Sequence, residues 1–453
     1  MRIKTILSIC CVIVIGLCAS NAWAKLTSAE IARLDNDLTP MGAERAGNAE
    51  GTIPAWEGGI TTPPAGYKPG MHRLDPFADD KVLFSITASN MDQYADKLSK
   101  GHQALLRDMD TFKINVYPTR RSVSFPQRIY DATRKVAETA ELVEGGNGVI
   151  GAVIGIPFPI PKTGLEAIWN HLLRYRGDSI VRTHRAAPVT RGGSYELSKT
   201  LAKTTFLYHR EGATEEKLNN LVLGYVTRSL APARRAGKAT LVHETLNQAK
   251  QPRRAWQYNP GQRRVLRAPE IAFDNPGGGS DGLRVTDQVD LYSGSPERYD
   301  WQLVGKRELY VPYNAYKLQD GSVKYKDIIQ KKHLNPDLLR YELHRVWVVE
   351  ATVKSGISHL YKRRTFYIDE DSWQIVLVDI YDNRDQLWRF QEGHLVNFYD
   401  VPAVWVSAET VYDFQIGRYH VKELQSEDKP IDFTQTLNAK AFTPAALRRS
   451  GTR

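Results

Sequence analysis

Cysteine is nearly absent: Cys10, Cys11 and Cys18 are the only three in 453 residues, and all fall in the first eighteen. Past residue 24 there is none, which excludes a disulfide framework, a zinc ribbon and a thiol nucleophile, and leaves burial to supply stability. Close histidine pairs are missing too. The eleven histidines never approach within ten positions of one another, so HxH, HxxxH and HExxH metal motifs do not occur. The one GxSxG match, Gly278 to Gly282, falls in the loose stretch 274–290, where no strand leads into a helix, so it does not read as a nucleophile elbow. The run Gly277-Gly278-Gly279 lacks the Gly-Lys-Ser/Thr that completes a phosphate loop. Asp369, Asp371, Asp379, Asp382 and Asp385 do not follow EF-hand spacing and read as turn formers. The chain is therefore expected not to be an enzyme, with no catalytic residue, metal site or cofactor. Carboxylates that meet only in space are the one hydrolytic route left open.

Long hydrophobic runs are also lacking. The longest, residues 6–17, is far short of the ~20 residues a membrane span needs. Arg2 and Lys4 precede it, and Ala22-Trp23-Ala24 forms a small-x-small cleavage site before Lys25. This is the pattern of an export signal cleaved after Ala24, which predicts a periplasmic protein. Leu17 stands before Cys18 where a lipid-anchor signal has a small residue. The net charge of +10 then points to anionic headgroups, lipopolysaccharide or acidic proteins, or to plain solvation. Nucleic acid is not expected as a partner there.

Five segments are predicted. After the signal (1–24) comes an extended arm, 25–75. Within residues 38–70 five prolines and seven glycines forbid a long helix or central strand, while Ile53, Trp56, Ile60 and Tyr67 offer apolar anchors. Residues 76–177 read as helical. One stripe runs from Met91 to Met109, and a second starts at Ser124 as N-cap and ends at Gly145-Gly146. The uncharged run GGNGVIGAVIGIPFPIP (145–161) follows, either a pliable gate carrying Val149, Ile150, Val153, Ile154, Ile156 and Phe158 or, more simply, a segment buried under its neighbours. A short helix or turn is expected at 165–173. Residues 178–430 read as antiparallel β, with the clearest strands at 345–353, 364–368, 374–380, 404–408 and 419–424. A C-terminal tail, 431–453, completes one compact unit from residue 25.

Arginine doublets, among them Arg234-Arg235, Arg253-Arg254 and Arg363-Arg364, invite a binding patch. On a strand, neighbours point to opposite faces, so a doublet is not a two-arginine clamp. Solvated strand edges are the plainer reading. The 22 tyrosines and nine tryptophans suit either a filled core or a curved sheet enclosing a ligand.

Four blocks carry a family resemblance: LTPMGAERAGNAEGTIPAW (38–56), FPIPKTGLEAIWNHLLRYRG (158–177), YNPGQRRVLRAPEIAFDNPGGGSD (258–281) and HLNPDLLRYELHRVWVVEATVKSGISHLYKRRTFY (333–367). With them the chain resembles the bacterial domain-of-unknown-function family 1329, over nearly its whole length past residue 24. That family is regarded as a distant relative of the outer-membrane lipoprotein carrier and receptor (LolA/LolB-like). The resemblance implies an α+β fold, mainly β: an incomplete, strongly curved antiparallel half-barrel wrapped around helices, with an apolar cavity. It also implies a lipid or other hydrophobic small molecule as ligand. An inner-membrane exporter of the resistance–nodulation–division type and an outer-membrane protein are the implied partners, with transient membrane-surface contact. The cavity wall is expected to include Trp347, Val349, Phe366, Ile368, Ile375, Leu377 and Trp405. A structural adaptor with a filled barrel is the alternative function, and a lipid- or glycan-acting hydrolase the other.

Overall fold

The computed structural model describes residues 25–268 and 273–451. The expected signal and its cleavage site at Ala24 lie outside the described residues. Residues 38–70 run without helix or strand apart from one bridge between Leu38 and Glu44, as their prolines and glycines dictate. The arm is nevertheless tied to the body. Ile53 is buried in the main core, the Trp56 indole N–H donates to the Val123 carbonyl at 3.1 Å, and the Tyr67 hydroxyl donates to Asp400 at 2.8 Å. At Gly42, φ is +91° and a Cβ would lie 1.8 Å from the Pro159 carbonyl oxygen, so only glycine fits.

Two helical expectations change in detail. The stripe at 91–109 divides into a 3-10 turn, Met91–Lys97, and a helix, Lys100–Asp108, capped by the Ser99 hydroxyl. Gly101 is what lets that helix reach the sheet, because a Cβ there would meet the Phe390 ring at 1.9 Å. The helix Gln127–Val136 follows Pro126, while the Ser124 hydroxyl donates instead to the Ile60 carbonyl at 2.6 Å. It ends well short of Gly145 because Glu141 and Leu142 pair with Ile150 and Val149 in a small hairpin. The helix Gly164–Leu173 forms as expected, with the Thr163 hydroxyl as its cap.

Seventeen strands form among the described residues. Phe84–Ile86 (β1) pairs with Ile114–Val116 (β2), and Glu141–Leu142 (β3) with Val149–Ile150 (β4). A first antiparallel meander comprises Ser179–Val189 (β5), Ser198–Phe206 (β6), Leu221–Ala231 (β7), Ala239–Thr245 (β8), Arg254–Asn259 (β9) and Arg264–Arg267 (β10). A second comprises Tyr299–Pro312 (β11), Tyr341–Val353 (β12), Arg363–Asp369 (β13), Ile375–Tyr381 (β14), Leu387–Phe398 (β15), Ala403–Asp413 (β16) and Arg418–Leu424 (β17). The last strand of the second meander pairs with the first strand of the first, Tyr419 opposite Val189, so the two make one sheet. Register shifts at Leu303/Gly305, Ile380/Tyr381 and His394/Leu395 bend it. Strands β10 and β11 do not pair, and the sheet is an incomplete, curved antiparallel barrel.

The two meanders are packed differently, and this difference locates the site. In β14 and β16 nearly every residue is buried, because both faces are covered. The helix Gly164–Leu173 packs on β11 and β12, and Lys100–Asp108 on β14 and β15. Strands β5 and β7 instead alternate between buried and half-buried positions. The strands of this first meander are backed by the C-terminal helix Pro444–Gly451, which packs on β8, β9 and β10 and whose Leu447 joins Phe442, Leu241 and Tyr258 in a separate cluster. Their fronts face a hollow.

Candidate functional site

The period of two along each strand builds the hollow. Arg182, His184 and Ala186 of β5 face it, as do Ser198, Thr200, Thr204 and Phe206 of β6. Tyr225, Thr227 and Ser229 of β7, with Thr240, Val242 and Glu244 of β8, continue the same surface. Trp405 and Glu409 of β16 and His420 and Lys422 of β17 supply the adjoining wall. Residues 275–278, 284, 286, 289, 290 and 293, from the connection between β10 and β11, close the open side. The enclosed volume is about 540 Å³.

The resemblance implied an apolar cavity, and the wall is amphipathic instead. Its greasy part centres on Phe206 and Trp405, ring centroids 6.5 Å apart, with Leu223, Val242 and Val289 beside them. Two guanidinium groups flank the indole: Arg182 at 4.9 Å and Arg176 at 5.6 Å from its centroid. Six cations and four carboxylates line the space. Each carboxylate is already engaged. Glu423 accepts from Arg182 at 2.8 Å, Glu409 from Lys422 at 3.0 Å, Asp290 from Arg176 at 2.6 Å and Glu244 from Arg253 at 2.9 Å. Arg235 and Arg284 are left without a carboxylate within 4 Å among the described residues.

Burial sets the protonation of the wall. It drives His184 down to about 4 and His420 well below its ordinary value, with Arg284 and Lys422 adding to the effect at His420. Both imidazoles are neutral at pH 7. Burial also raises the Glu409 carboxyl, against the pull of Lys422, and lowers the Arg284 guanidinium, against that of Glu409.

The closing connection is anchored by ion pairs as well as by Val285, Leu291 and Tyr292, which are buried in the main core. Asp290 takes Arg174 and Arg176, both at 2.6 Å. Asp287 takes Arg364 across both oxygens, at 3.1 and 2.8 Å, and His359 at 3.2 Å. Arg364 also receives no help from solvent, since its side chain is fully buried.

Of the seven expected wall residues, Trp405 borders this hollow. Val349, Phe366, Ile368, Ile375 and Leu377 are fully buried in the main core, and Trp347 is half-buried, stacked 6.1 Å from Trp373. None of these six, on β12, β13 and β14, reaches the cavity, because those strands are covered on both faces, whereas β16 and β17 of the same meander border it. The expected gate residues do not border it either. Val149, Ile156 and Phe158 are buried, Val153 and Ile154 are packed against the core clusters, and Ile150 is exposed. Sequence reasoning passed over Arg182, His184, Phe206 and Tyr225, whose one signal was the alternation of β5 to β7, and Arg284, which lies in the loose stretch 274–290 outside any strand.

One set of residues approaches metal-ligand geometry among the described residues: His344, Asp369 and Asp371, with one atom of each within 4.8 Å of the others. Arg121 occupies both oxygens of Asp371, at 2.6 and 3.0 Å, and Ser372 and Tyr313 donate to Asp369. The protein's own donors take both Asp371 oxygens and Asp369 Oδ2, while Asp369 Oδ1 has no hydrogen-bond partner. Among the described residues no helix is long and apolar enough to cross a membrane.

The chain is 47% identical to the uncharacterized protein PA3922 of Pseudomonas aeruginosa over 98% of both chains. Among solved structures, a domain from Vibrio parahaemolyticus named for outer membrane lipoprotein sorting aligns over 63% of this chain and 98% of its own, at 16% identity and a TM-score of 0.43. The LolA superfamily protein NE2245 of Nitrosomonas europaea aligns over 62% and 98%, at 13% identity and a TM-score of 0.37. The model of the family of proteins of unknown function DUF1329 matches residues 85–448. With that match and the near full-length Pseudomonas relative, the chain belongs to the DUF1329 family.

Proposed function

We propose that this protein is a periplasmic carrier for a lipid or another amphiphile, shuttling between an inner-membrane exporter of the resistance–nodulation–division type and an outer-membrane partner. One observation carries the reading: a hollow of about 540 Å³ between the first meander and the β10–β11 connection. That volume lies in the range of roughly 300–1,000 Å³ typical of small-molecule sites. A carrier needs such a space. Each CH₂ group resists water by roughly 0.8 kcal/mol, so a long acyl chain does not cross an aqueous gap unaided. The Phe206–Trp405 surface offers the chain a seat, and the connection at 274–290, which forms part of the wall, is the proposed gate in place of 145–161.

The test is native mass spectrometry of the protein purified from its host, followed by solvent extraction. A co-purifying lipophile of defined mass, which then quenches tryptophan fluorescence when added back, supports the carrier. An unliganded mass under gentle conditions, with no quenching by added fatty acids, refutes it and favours a structural adaptor.

A further inference from the structure

The two arginines without a carboxylate say what kind of molecule the hollow takes. Arg284 donates through Nη1 to the Val285 carbonyl at 3.2 Å, and its Nε has no partner. Arg235 stands where the hollow adjoins a second, shallower depression of about 260 Å³. Both guanidinium groups lie against the triple glycine. A Cβ on Gly277 would sit 2.9 Å from Arg284 Cζ, and one on Gly279 would sit 2.0 Å from Arg235 Nη1. The run that fails as a phosphate loop in the sequence is the seat of two cations. Side chains at those positions would push both arginines away.

The unused hydrogen-bonding groups tell the same story. Arg176, Arg182 and Trp405 also line the hollow, and Arg176 Nε, Arg182 Nη1 and the Trp405 indole N–H are buried without an acceptor. The unpartnered groups of opposite character are Glu409 Oε2 and nitrogens of the neutral His184 and His420. N–H donors on fixed cations are thus in excess, and arginine donors match a group that only accepts, either a carboxylate or a phosphate. Beside them the Phe206–Trp405 pair and Leu223 offer apolar surface. A half-buried cation with no carboxylate in contact costs stability, which a protein tolerates where function needs it.

We infer that the hollow recognises an anionic amphiphile, with its carboxylate or phosphate headgroup held by Arg284 and Arg235 and its hydrocarbon part laid along Phe206 and Trp405. This rests on the carrier reading and adds the headgroup to it. The triple glycine is then a specificity element, admitting the two guanidinium groups to the mouth of the site.

Calorimetric titration of the purified protein with dodecyl phosphate, dodecanoate, dodecanol and inorganic phosphate tests the assignment. The two anionic amphiphiles are expected to bind about tenfold or more tighter than the alcohol, a ratio read on the wild-type protein alone. Arg284→Gln and Arg235→Gln should each weaken the anions about tenfold and leave dodecanol unchanged, whereas Arg107→Gln, on the exposed surface, should change neither. Neither cavity variant should lower the Tm, because neither arginine holds a carboxylate. Equal binding of anion and alcohol, with the variants inert, overturns the headgroup assignment and leaves the carrier standing. Inorganic phosphate binding as tightly as dodecyl phosphate also overturns it, in favour of a free-anion site. Failure of all three amphiphiles to bind overturns the carrier reading itself.

Discussion

Arg364→Met is the sharpest probe of how the cavity's closing connection is held. Arg364 sits on β13 with its side chain fully buried, and Asp287, on the connection, is buried almost as deeply. The guanidinium spans both carboxylate oxygens and also donates to the Tyr299 hydroxyl at 2.6 Å. Burial alone would raise the Asp287 carboxyl, but Arg364 and then His359 more than offset it and hold it at about 2. Methionine keeps most of the side-chain volume and removes the charge. Asp287 is then left with His359 alone, and breaking a buried pair in this way costs about 3–5 kcal/mol. That is a large part of a stability on the order of 5–15 kcal/mol.

Removing both charges, with Asp287→Leu added, should recover most of the loss, since apolar replacement of a whole pair is close to neutral. The assay is equilibrium urea unfolding of the four corners of the cycle, followed by tryptophan fluorescence and far-UV circular dichroism. The pH dependence has a definite sign. Because the folded-state value lies below the unfolded 3.8, the pair's contribution is complete above about pH 4 and fades as pH falls toward 2. The gap between wild type and Arg364→Met should narrow over that window. A single variant within about 1 kcal/mol of wild type at pH 7, with the double variant no better, would refute the reasoning.

Three further outcomes are expected. Gly101→Ala should destabilise by about 1–3 kcal/mol despite alanine's better helix propensity, because the new methyl meets the Phe390 ring; Tm by calorimetry decides it, and an increase contradicts the packing. Gly42→Ala combines a clash with the Pro159 carbonyl and an unfavourable positive φ, so limited proteolysis should cut within residues 38–70 faster than in wild type. Asp369→Asn should be pH-selective. Burial, with Asp371 adding to it, pushes the Asp369 carboxyl up to about 7, so its ionisation penalises the fold fully above pH 7 and not at all below about pH 4. The amide should raise the unfolding free energy at pH 8 by about 1–3 kcal/mol, read from urea titration, and bring no gain at pH 4. Equal effects at both values would show that the carboxyl's charge is not the cause.

Much of the frame was legible. The strands Arg363–Asp369 and Ile375–Tyr381 fall within one residue of their sequence ranges, and the Pro/Gly arm and the helix at Gly164–Leu173 sit where composition and spacing put them. The cavity was not legible, for a physical reason. A ligand hollow was sought among aliphatic and aromatic strand residues, and Val349, Phe366 and Leu377 instead fill the doubly covered half of the sheet. The strand faces that do border the hollow carry Arg182 and His184, or Thr227 and Ser229. An alternating polar face looks the same in sequence whether it meets bulk water or an enclosed space. Only the connection at 274–290, distant in sequence from β5, makes the distinction. The arginine doublets were likewise half-read. Alternation does separate Arg363, half-exposed beside Asp385 and Glu350, from the buried Arg364, yet a doublet on a solvated edge would have left both in water.

The seam between Val189 and Tyr419 has a consequence for biogenesis. The strand that opens the first meander cannot find its neighbour until almost the entire polypeptide has arrived. Through that interval β5 presents bare amide and carbonyl groups along one side, and distant pairings of this kind assemble slowly. A nascent molecule is thus exposed to sticking to its siblings at the very edge that later disappears, and the burden on holding factors falls before the final hairpin docks.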